Sequence, residues 1–394
     1  MKILYYSAHP HLNLYASTGY GIHMREVIEG FKNEGHEVET LIIGGETPPK
    51  DNLKRVPQKT ILTSLKAIIK KITPSIIWET FKDYQLLKKD KISKQILDEK
   101  VKAFQPDLIY ERGYYLIQSG ITICSKHNIQ HYIELNAVYT EERIDFSGRS
   151  LFINLAKKIE KKQLLSATKI IVVSSALKNY FLKLNKNVKK EKIIITPNAI
   201  NPKSVKLNSK YQERIIEDNQ LQNQTIIGFV GSIFPYHGVD LLIKAFSNAN
   251  LTNCKLLIVG DGAILKELKE LTISLGVEKH VVFTGKTPHK YIFDYIQLMD
   301  ITVMPQSNWY GSPVKIFEYG YMEKAIIAPN YQPIKDVLKH RVNSLLISPS
   351  VESLTKSIKT LIQDIELRNN ISKQVKKDII ENYTWEKVVK KILD

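Results

Sequence analysis

Short apolar runs alternate with longer amphipathic stretches along the whole chain, and the series runs twice. In the first series Ile3–Ser7, Val38–Ile43, Leu108–Tyr110, Gln130–Leu135, Lys169–Val173 and Lys192–Thr196 read as strands, with a first helix over Gly21–Lys32. In the second, Thr225–Val230, Lys255–Val259, Val281–Phe283, Ile301–Val303, Ala325–Ala328 and Ser344–Ile347 read as strands. Helices are expected between them near Val239–Ser247, Ala263–Leu275, Lys290–Gln297, Lys315–Tyr321, Ile334–Lys339 and Val351–Ile365. Runs this short and apolar, spaced by helix-length segments, fit strands buried on both faces of a parallel sheet. The expected fold is α/β, with two Rossmann-like, doubly wound parallel-sheet domains facing a cleft. Asn201–Gln224 between the series is polar and holds no apolar strand, so a hinge linker is expected there. The domains then run over residues 1–204 and 205–379, with a last helix at about 380–394 packing back on the first. In such sheets ligands bind outside the carboxyl ends of the strands.

With 394 residues, 43% hydrophobic and 25% charged, the chain can fill two cores and is not of disordered composition. Its two cysteines, Cys124 and Cys254, support neither a disulfide framework nor a cysteine zinc site, and a reducing cytosol is the expected compartment. The opening apolar run is broken by His9 and Pro10 and reads as a first strand rather than a signal peptide. No window of about 18 uninterrupted apolar residues exists, so no membrane-spanning helix is expected.

The formal charge is +17, from 57 Lys+Arg against 40 Asp+Glu. Lys50–Lys102 carries +8 and Leu151–Lys210 carries +12, leaving −3 for the rest. Solvated lysines on helix surfaces account for this; so does a face turned to an anionic membrane, where each cation contributes about 1 kcal/mol. Over Ile61–Leu87, apolar residues such as Ile61, Leu65, Ile68, Ile72 and Trp78 mix with Lys66, Lys70, Lys71 and Lys82, as in a basic amphipathic helix at a membrane interface. Pro74 interrupts that helix, and core packing explains the same apolar positions. The aromatic-interleaved basic motifs that RNA binding favours are lacking, so nucleic acid is not an expected partner.

Three glycine turns follow strands. Thr18-Gly19-Tyr20-Gly21 opens the first helix, where backbone N–H groups can approach a phosphate or carboxylate, although an ordinary turn uses the same residues. His9, His11 and His23 flank it. Gly231-Ser232 leads to Tyr236-His237-Gly238 before another helix; a protonated His237 suits a phosphate, and helix capping is its other reading. Gly260-Asp261-Gly262 reads as a strand-to-helix connection. The richest stretch is Met304–Tyr319, where a buried strand ends and Tyr310, Gly311, Ser312, Pro313 and Val314 lead into a helix carrying Lys315 and Glu318. Lys315 and the loop amides suit a diphosphate, and Glu318 suits the vicinal hydroxyls of a ribose. The competing reading is an i,i+3 salt bridge.

On these motifs and their order the chain resembles the family-four retaining glycosyltransferases of the GT-B fold, along nearly its whole length. Gly19-Tyr20-Gly21-Ile22-His23, Gly35-His36-Glu37-Val38, Val172-Val173-Ser174, Thr196-Pro197-Asn198-Ala199-Ile200-Asn201, Ile258–Gly262, Val282–Gly285, Pro329 and Thr384-Trp385-Glu386 match family motifs. The resemblance makes Glu318 the second glutamate of a Glu-x7-Glu motif, and the first falls on Tyr310. The family's usual Arg and Lys fall on Ser232 and His237. The form Gly-Ser-Pro-x-Lys-x-Phe-Glu-Tyr resembles a variant branch in which Lys315 replaces the lost charge. Tyr110-Glu111-Arg112 and Glu134-Leu135-Asn136-Ala137 resemble a branch of surface-polysaccharide enzymes, with Asn136 where many relatives carry His.

The resemblance implies catalytic roles for Lys315, Glu318, His237 and Asn136. Donor-binding roles fall to Gly231, Ser232, Tyr310, Gly311, Ser312, Pro313, Val314, Lys315 and Glu318. Acceptor-binding roles fall to Gly19, Tyr20, Gly21, His23, Glu111 and Asn136. The implied reaction is metal-independent, retaining hexosyl transfer from a UDP- or GDP-linked sugar to a glycan or lipid-linked acceptor, in surface-polysaccharide or glycoconjugate synthesis, with no cofactor. The expected place is the cytoplasm, peripheral to an anionic inner membrane face. Two other readings compete: a GT-B nucleotide-sugar epimerase, and a non-catalytic binder of membrane or nucleic acid.

Overall fold

A computed structural model describes residues 1–16, 18–48 and 73–394. The chain divides into two units, Met1–Thr196 with Val389–Asp394, and Pro197–Val388.

The first unit is built on one parallel sheet of β1 (Lys2–Ser7), β2 (Glu37–Ile42), β3 (Leu108–Arg112), β4 (Gln130–Leu135), β5 (Lys169–Val172) and β6 (Ile193–Ile195). Its order is β2-β1-β3-β4-β5-β6, so the winding reverses between β1 and β3. Ile3, Leu4, Tyr5, Tyr6, Ile109 and Tyr110 are wholly buried, as strands covered on both faces require. Burial of each aliphatic side chain contributes about 1.5–3 kcal/mol.

The second unit repeats the plan with β7 (Thr225–Val230), β8 (Cys254–Val259), β9 (Val281–Phe283), β10 (Ile301–Val303), β11 (Ala325–Pro329) and β12 (Leu345–Ile347). All pairings are parallel in the order β12-β11-β10-β7-β8-β9, and this winding reverses between β7 and β10. Core residues pack on both faces of this sheet.

Two segments depart from expectation. Asn201–Gln224 is not a featureless linker: it holds the helix Ser209–Asp218, capped by the Asn208 side chain. Ile215 and Leu221 are buried in the second unit's core, and the Asn208 N–H donates to Asp294 at 2.7 Å. The division between units falls at Thr196/Pro197. Only Tyr211, Ile215 and Ile216 give this helix an apolar face, too little periodicity to stand out in a polar run.

The expected basic amphipathic stretch begins in residues 61–72, outside the described residues. Its remainder belongs to a 30-residue helix, Ser75–Phe104, that starts directly after Pro74. The amphipathicity of this helix is inverted near its start. Glu79 and Asp83 face inward, meeting Arg143 at 2.8 and 3.0 Å and the Tyr115 hydroxyl at 2.8 Å. Ile76, Ile77, Phe81 and Tyr84 are exposed. At the chain's end, Val389 packs against Gly30, and Lys169 Nζ donates to the Ile392 and Leu393 carbonyls.

Candidate active site

The winding reversal of each sheet marks where strand ends diverge and leave room for a ligand. In the second unit this falls at the carboxyl ends of β7 and β10. After Val230 the chain turns at Gly231 with φ +145°, and the Gly231 N–H and Ile233 N–H donate to the carbonyls of Val259 and Asp261. Gly260 makes this approach possible: a Cβ there would stand 2.0 Å from the Gly231 carbonyl oxygen. The third glycine turn therefore supports the first strand's turn rather than only joining strand to helix.

The helix Val314–Tyr321 is fixed against this turn by Tyr319, whose hydroxyl accepts the Val230 N–H at 2.8 Å. One turn earlier, Lys315 Nζ lies 4.1 Å from the Phe229 ring centroid and 2.8 Å from where a Gly231 Cβ would stand. The Lys315 stem is partly exposed, but its ammonium nitrogen is buried and has no hydrogen-bond partner among the described residues. Burial pushes its pKa down to about 7, against an opposing pull from Glu318. The salt-bridge reading of Lys315 and Glu318 is not what forms. Glu318 is buried and meets His289 Nε2 at 3.3 Å.

His237 corrects an expectation. Its Nδ1 lies against the Ser232 carbonyl, which only accepts, so Nδ1 carries a proton and donates. Burial, then the Lys315 charge, push its pKa down to about 4, so His237 is neutral near pH 7 rather than the protonated phosphate partner expected. Ser232 is exposed.

The Gly-Ser-Pro loop is pinned from two sides. Asn198 donates its N–H to Ser312 Oγ at 3.0 Å and its amide to the Ser312 carbonyl. Asn308 Oδ1 accepts the Gly311 N–H. Gly311's N–H is thus engaged and Pro313 has none, which narrows the expected row of phosphate-binding amides to Ser312 and Val314. Tyr310 is buried edge-on to Trp309, with ring centroids 5.2 Å apart, and brings no charge to the lost glutamate's position.

In the first unit the strand ends gather around Glu134, at the end of β4. His23 Nε2 lies 2.7 Å and Arg112 NH1 2.9 Å from its Oε1, the Tyr110 hydroxyl donates to Oε2 at 2.8 Å, and the Asn136 amide donates to Oε1. Burial opposes the charge on Glu134, but His23 and Arg112 outweigh it and hold the carboxyl well below the usual range. His9 lies tilted against Tyr114 with ring centroids 3.8 Å apart, and burial, with His11 and Arg112, pushes its pKa down to about 4.

Of the residues expected to meet an acceptor, His23 and Asn136 come together on Glu134. Gly19 is exposed and Tyr20 partly exposed at the helix start. Gly21 is dictated by close approach, since a Cβ there would stand 2.3 Å from the Ala16 carbonyl oxygen. Glu111 is a correction: it is wholly buried, paired with His131 at 2.7 Å, and packed where a Gly120 side chain would be. It cannot touch an acceptor there. Sequence reasoning overlooked Glu134, Arg112, Tyr319 and His289 as site residues. A Glu and an Arg inside apolar strand runs were the available signal for the first two. Among the described residues, no three His, Cys, Asp or Glu side chains converge as a metal site requires.

Two family models match. Residues 17–204 match Glycosyltransferase Family 4, and residues 211–378 match Glycosyl transferases group 1. An uncharacterized glycosyltransferase of Methanocaldococcus jannaschii is 23% identical over 386 residues, covering 95% of this chain and 93% of the relative. The lipopolysaccharide 1,2-N-acetylglucosaminetransferase of Salmonella typhimurium is 23% identical over 57% of this chain and 60% of its own length. Among solved structures, the Anabaena HepE complex with UDP superposes with TM-score 0.73 at 16% identity, covering 100% of this chain and 98% of the other. A Rickettsia africae glycosyltransferase superposes with TM-score 0.74 at 18% identity, covering 100% and 96%. The two sheets and these neighbours define a GT-B fold. With both family models matched in order, the chain is a glycosyltransferase similar to family 4.

Proposed function

We propose that the protein moves a hexosyl group, with retention and without a metal, from a UDP- or GDP-linked donor to a glycan or lipid-linked acceptor. The observation that carries this reading is the buried Lys315 ammonium beside Gly231, without a hydrogen-bond partner among the described residues, at the winding reversal of the second sheet. Departure of a nucleoside diphosphate develops negative charge, and a preorganised buried donor stabilises it far better than one in water. Lys315, with the Ser312 and Val314 amides and the Gly231–Ser232 turn, meets the diphosphate. Glu318, held by His289, accepts the ribose hydroxyls. Neutral His237 is a polar wall that gains a proton as the diphosphate arrives.

In this reading the second unit binds donor and the first binds acceptor, through His23, Asn136 and the turn at Gly19–Gly21. The Salmonella relative acts in lipopolysaccharide synthesis and the Anabaena neighbour binds UDP, which supports surface-glycan chemistry with a nucleotide-sugar donor. A peripheral seat on an anionic membrane is supported by exposed Ile76, Ile77 and Phe81 beside Lys82, with exposed Phe146 and Leu151 on a segment tied to Thr80 by the Leu151 N–H. No helix among the described residues is long and apolar enough to cross a membrane.

Nucleotide-sugars are screened for thermal stabilisation, and each hit is then assayed for transfer to a second molecule. Stabilisation with transfer, retention of anomeric configuration and resistance to chelator support the proposal. A hit that is epimerised with no transfer favours the epimerase.

A further inference from the structure

Two large aromatic side chains stand exposed on the loop that follows β7. Phe234 is 39% and Tyr236 52% exposed, and their rings lie parallel within 6° with centroids 5.7 Å apart. One exposed apolar side chain is ordinary, but two stacked rings on a single turn form an aromatic patch.

The turn is built to hold them in place. Pro235 fixes φ at the start of the 3-10 turn Pro235–His237. The His237 N–H donates to the Phe234 carbonyl at 3.0 Å and the Gly238 N–H to the Pro235 carbonyl at 3.1 Å. Before the rings, Ile233 is wholly buried and its N–H donates to the Asp261 carbonyl at 2.9 Å. After them, the His237 imidazole is anchored on the Ser232 carbonyl and lies against Tyr236 with centroids 4.4 Å apart. Little ordering is left for a ligand to impose when it lands on these rings.

The surroundings decide what fits. Ser232–Gly238 has no charged side chain, since His237 is neutral near pH 7. Asp261, whose carbonyl holds Ile233, adds an exposed carboxylate beside the loop. A phosphate or an anionic lipid surface finds no cation on this loop. A nucleobase is disfavoured by position. Contacts run in order from His289 through Glu318, Lys315, Phe229 and His237 to Tyr236 and Phe234. The rings are thus at the opposite end of this chain of contacts from the glutamate proposed for the ribose. What remains is an uncharged ligand with a flat apolar face, and a pyranose ring offers one in its axial C–H bonds.

We infer that Phe234 and Tyr236 form a platform on the second unit that grips one neutral pyranose of a glycan chain through its C–H face. This rests on the reading that the protein works on glycans, and it adds a glycan-holding surface distinct from the donor contacts of Lys315 and Glu318. Such a platform reads shape and apolar area rather than a hydroxyl pattern, so it tolerates more than one sugar.

The test uses the whole chain with short neutral oligosaccharides of hexose and N-acetylhexosamine units, with bare UDP and GDP, and with vesicles of anionic phospholipid. Saturation-transfer NMR is expected to show wild type binding oligosaccharides, with the strongest transfer to ring C–H protons when the protein's aromatic protons are irradiated. The double variant F234A/Y236A is expected to weaken that binding roughly tenfold. F234A alone leaves the contact between Tyr236 and His237 in place and is expected to show a smaller loss of the same kind. Y236F keeps the ring and is expected to bind as wild type does. Nucleoside diphosphate affinity is expected to hold in all three, which also reports an intact second unit. The inference is overturned if wild type binds none of the oligosaccharides, or if F234A and the double variant bind them as wild type does. A loss of nucleoside diphosphate affinity in F234A overturns it in favour of a nucleobase platform, and a loss confined to vesicle binding overturns it in favour of a membrane contact. Failure of wild type to bind either nucleoside diphosphate counts against the proposed function instead.

Discussion

Glu318 pairs with His289 across 3.3 Å, and Lys315, one turn earlier on the same helix, is left with no hydrogen-bond partner for its ammonium among the described residues, only a longer-range pull from Glu318. Two opposite charges three residues apart ordinarily find each other. Here the helix is rotated by the Tyr319–Val230 hydrogen bond so that Lys315 points to the Gly231 turn and Glu318 to His289. The site holds a desolvated donor aimed at a strand end, an arrangement that lowers stability unless an anion arrives.

Replacing Lys315 with Met is therefore expected to act in opposite directions on fold and on binding. Removing a buried, unpaired ammonium raises stability at neutral pH by about 1–3 kcal/mol. The same change weakens nucleoside diphosphate binding roughly 10–100-fold, as for a lost charge-assisted hydrogen bond. Thermal unfolding and titration calorimetry on one pair of proteins read both.

The pH dependence has a definite sign. The Lys315 pKa falls from 10.5 to about 7 in the folded chain. Between those values the unfolded chain holds more protons than the folded one, so stability rises with pH across that window and this contribution levels off below about 7. Diphosphate binding runs the other way, because it favours the charged ammonium. Affinity is expected to weaken as pH rises above about 7, and binding near pH 8 should take up protons. Calorimetry in buffers of different ionisation enthalpy measures that uptake, and K315M should abolish most of it.

Substituting Glu318 by Ala is expected to lower kcat/KM roughly 10–100-fold through the lost ribose contact. H289A should produce a smaller loss in the same direction, since it only frees the carboxylate. Steady-state kinetics with the best donor from the screen give the comparison.

Asn198 and Ser312 hold the loop that precedes Lys315. N198A is expected to raise KM for the donor more than it lowers kcat, because the loop must then order on binding. Rates measured across donor concentration separate the two.

Gly21 has no room for a methyl group beside the Ala16 carbonyl. G21A is expected to destabilise the first unit by about 1–3 kcal/mol, read as a lower unfolding midpoint.

The strands were legible because parallel strands buried on both faces must be continuously apolar, and Thr225–Val230, Gln130–Leu135 and Ile301–Val303 run over the residues expected. The helix Ser209–Asp218 was not, since its apolar face is little more than one turn of side chains. The inverted start of Ser75–Phe104 was also hidden: Glu79 and Asp83 are inward because Arg143, more than 59 positions along the chain, meets them there. The site divides in the same way. Local spacing exposed the Gly311–Glu318 stretch, whereas the partners that decide protonation and direction come from afar, such as His289 for Glu318 and His23 for Glu134. Glu111 misled because a carboxylate at a strand end looks available until the partner strand supplies His131.

The most direct measurement is a crystal structure of the protein with a nucleotide-sugar bound. The diphosphate is expected within hydrogen-bond distance of Lys315 Nζ, beside the Gly231 turn, with Glu318 on the ribose. A nucleotide ordered elsewhere, with the Lys315 ammonium still unpartnered, would contradict the account.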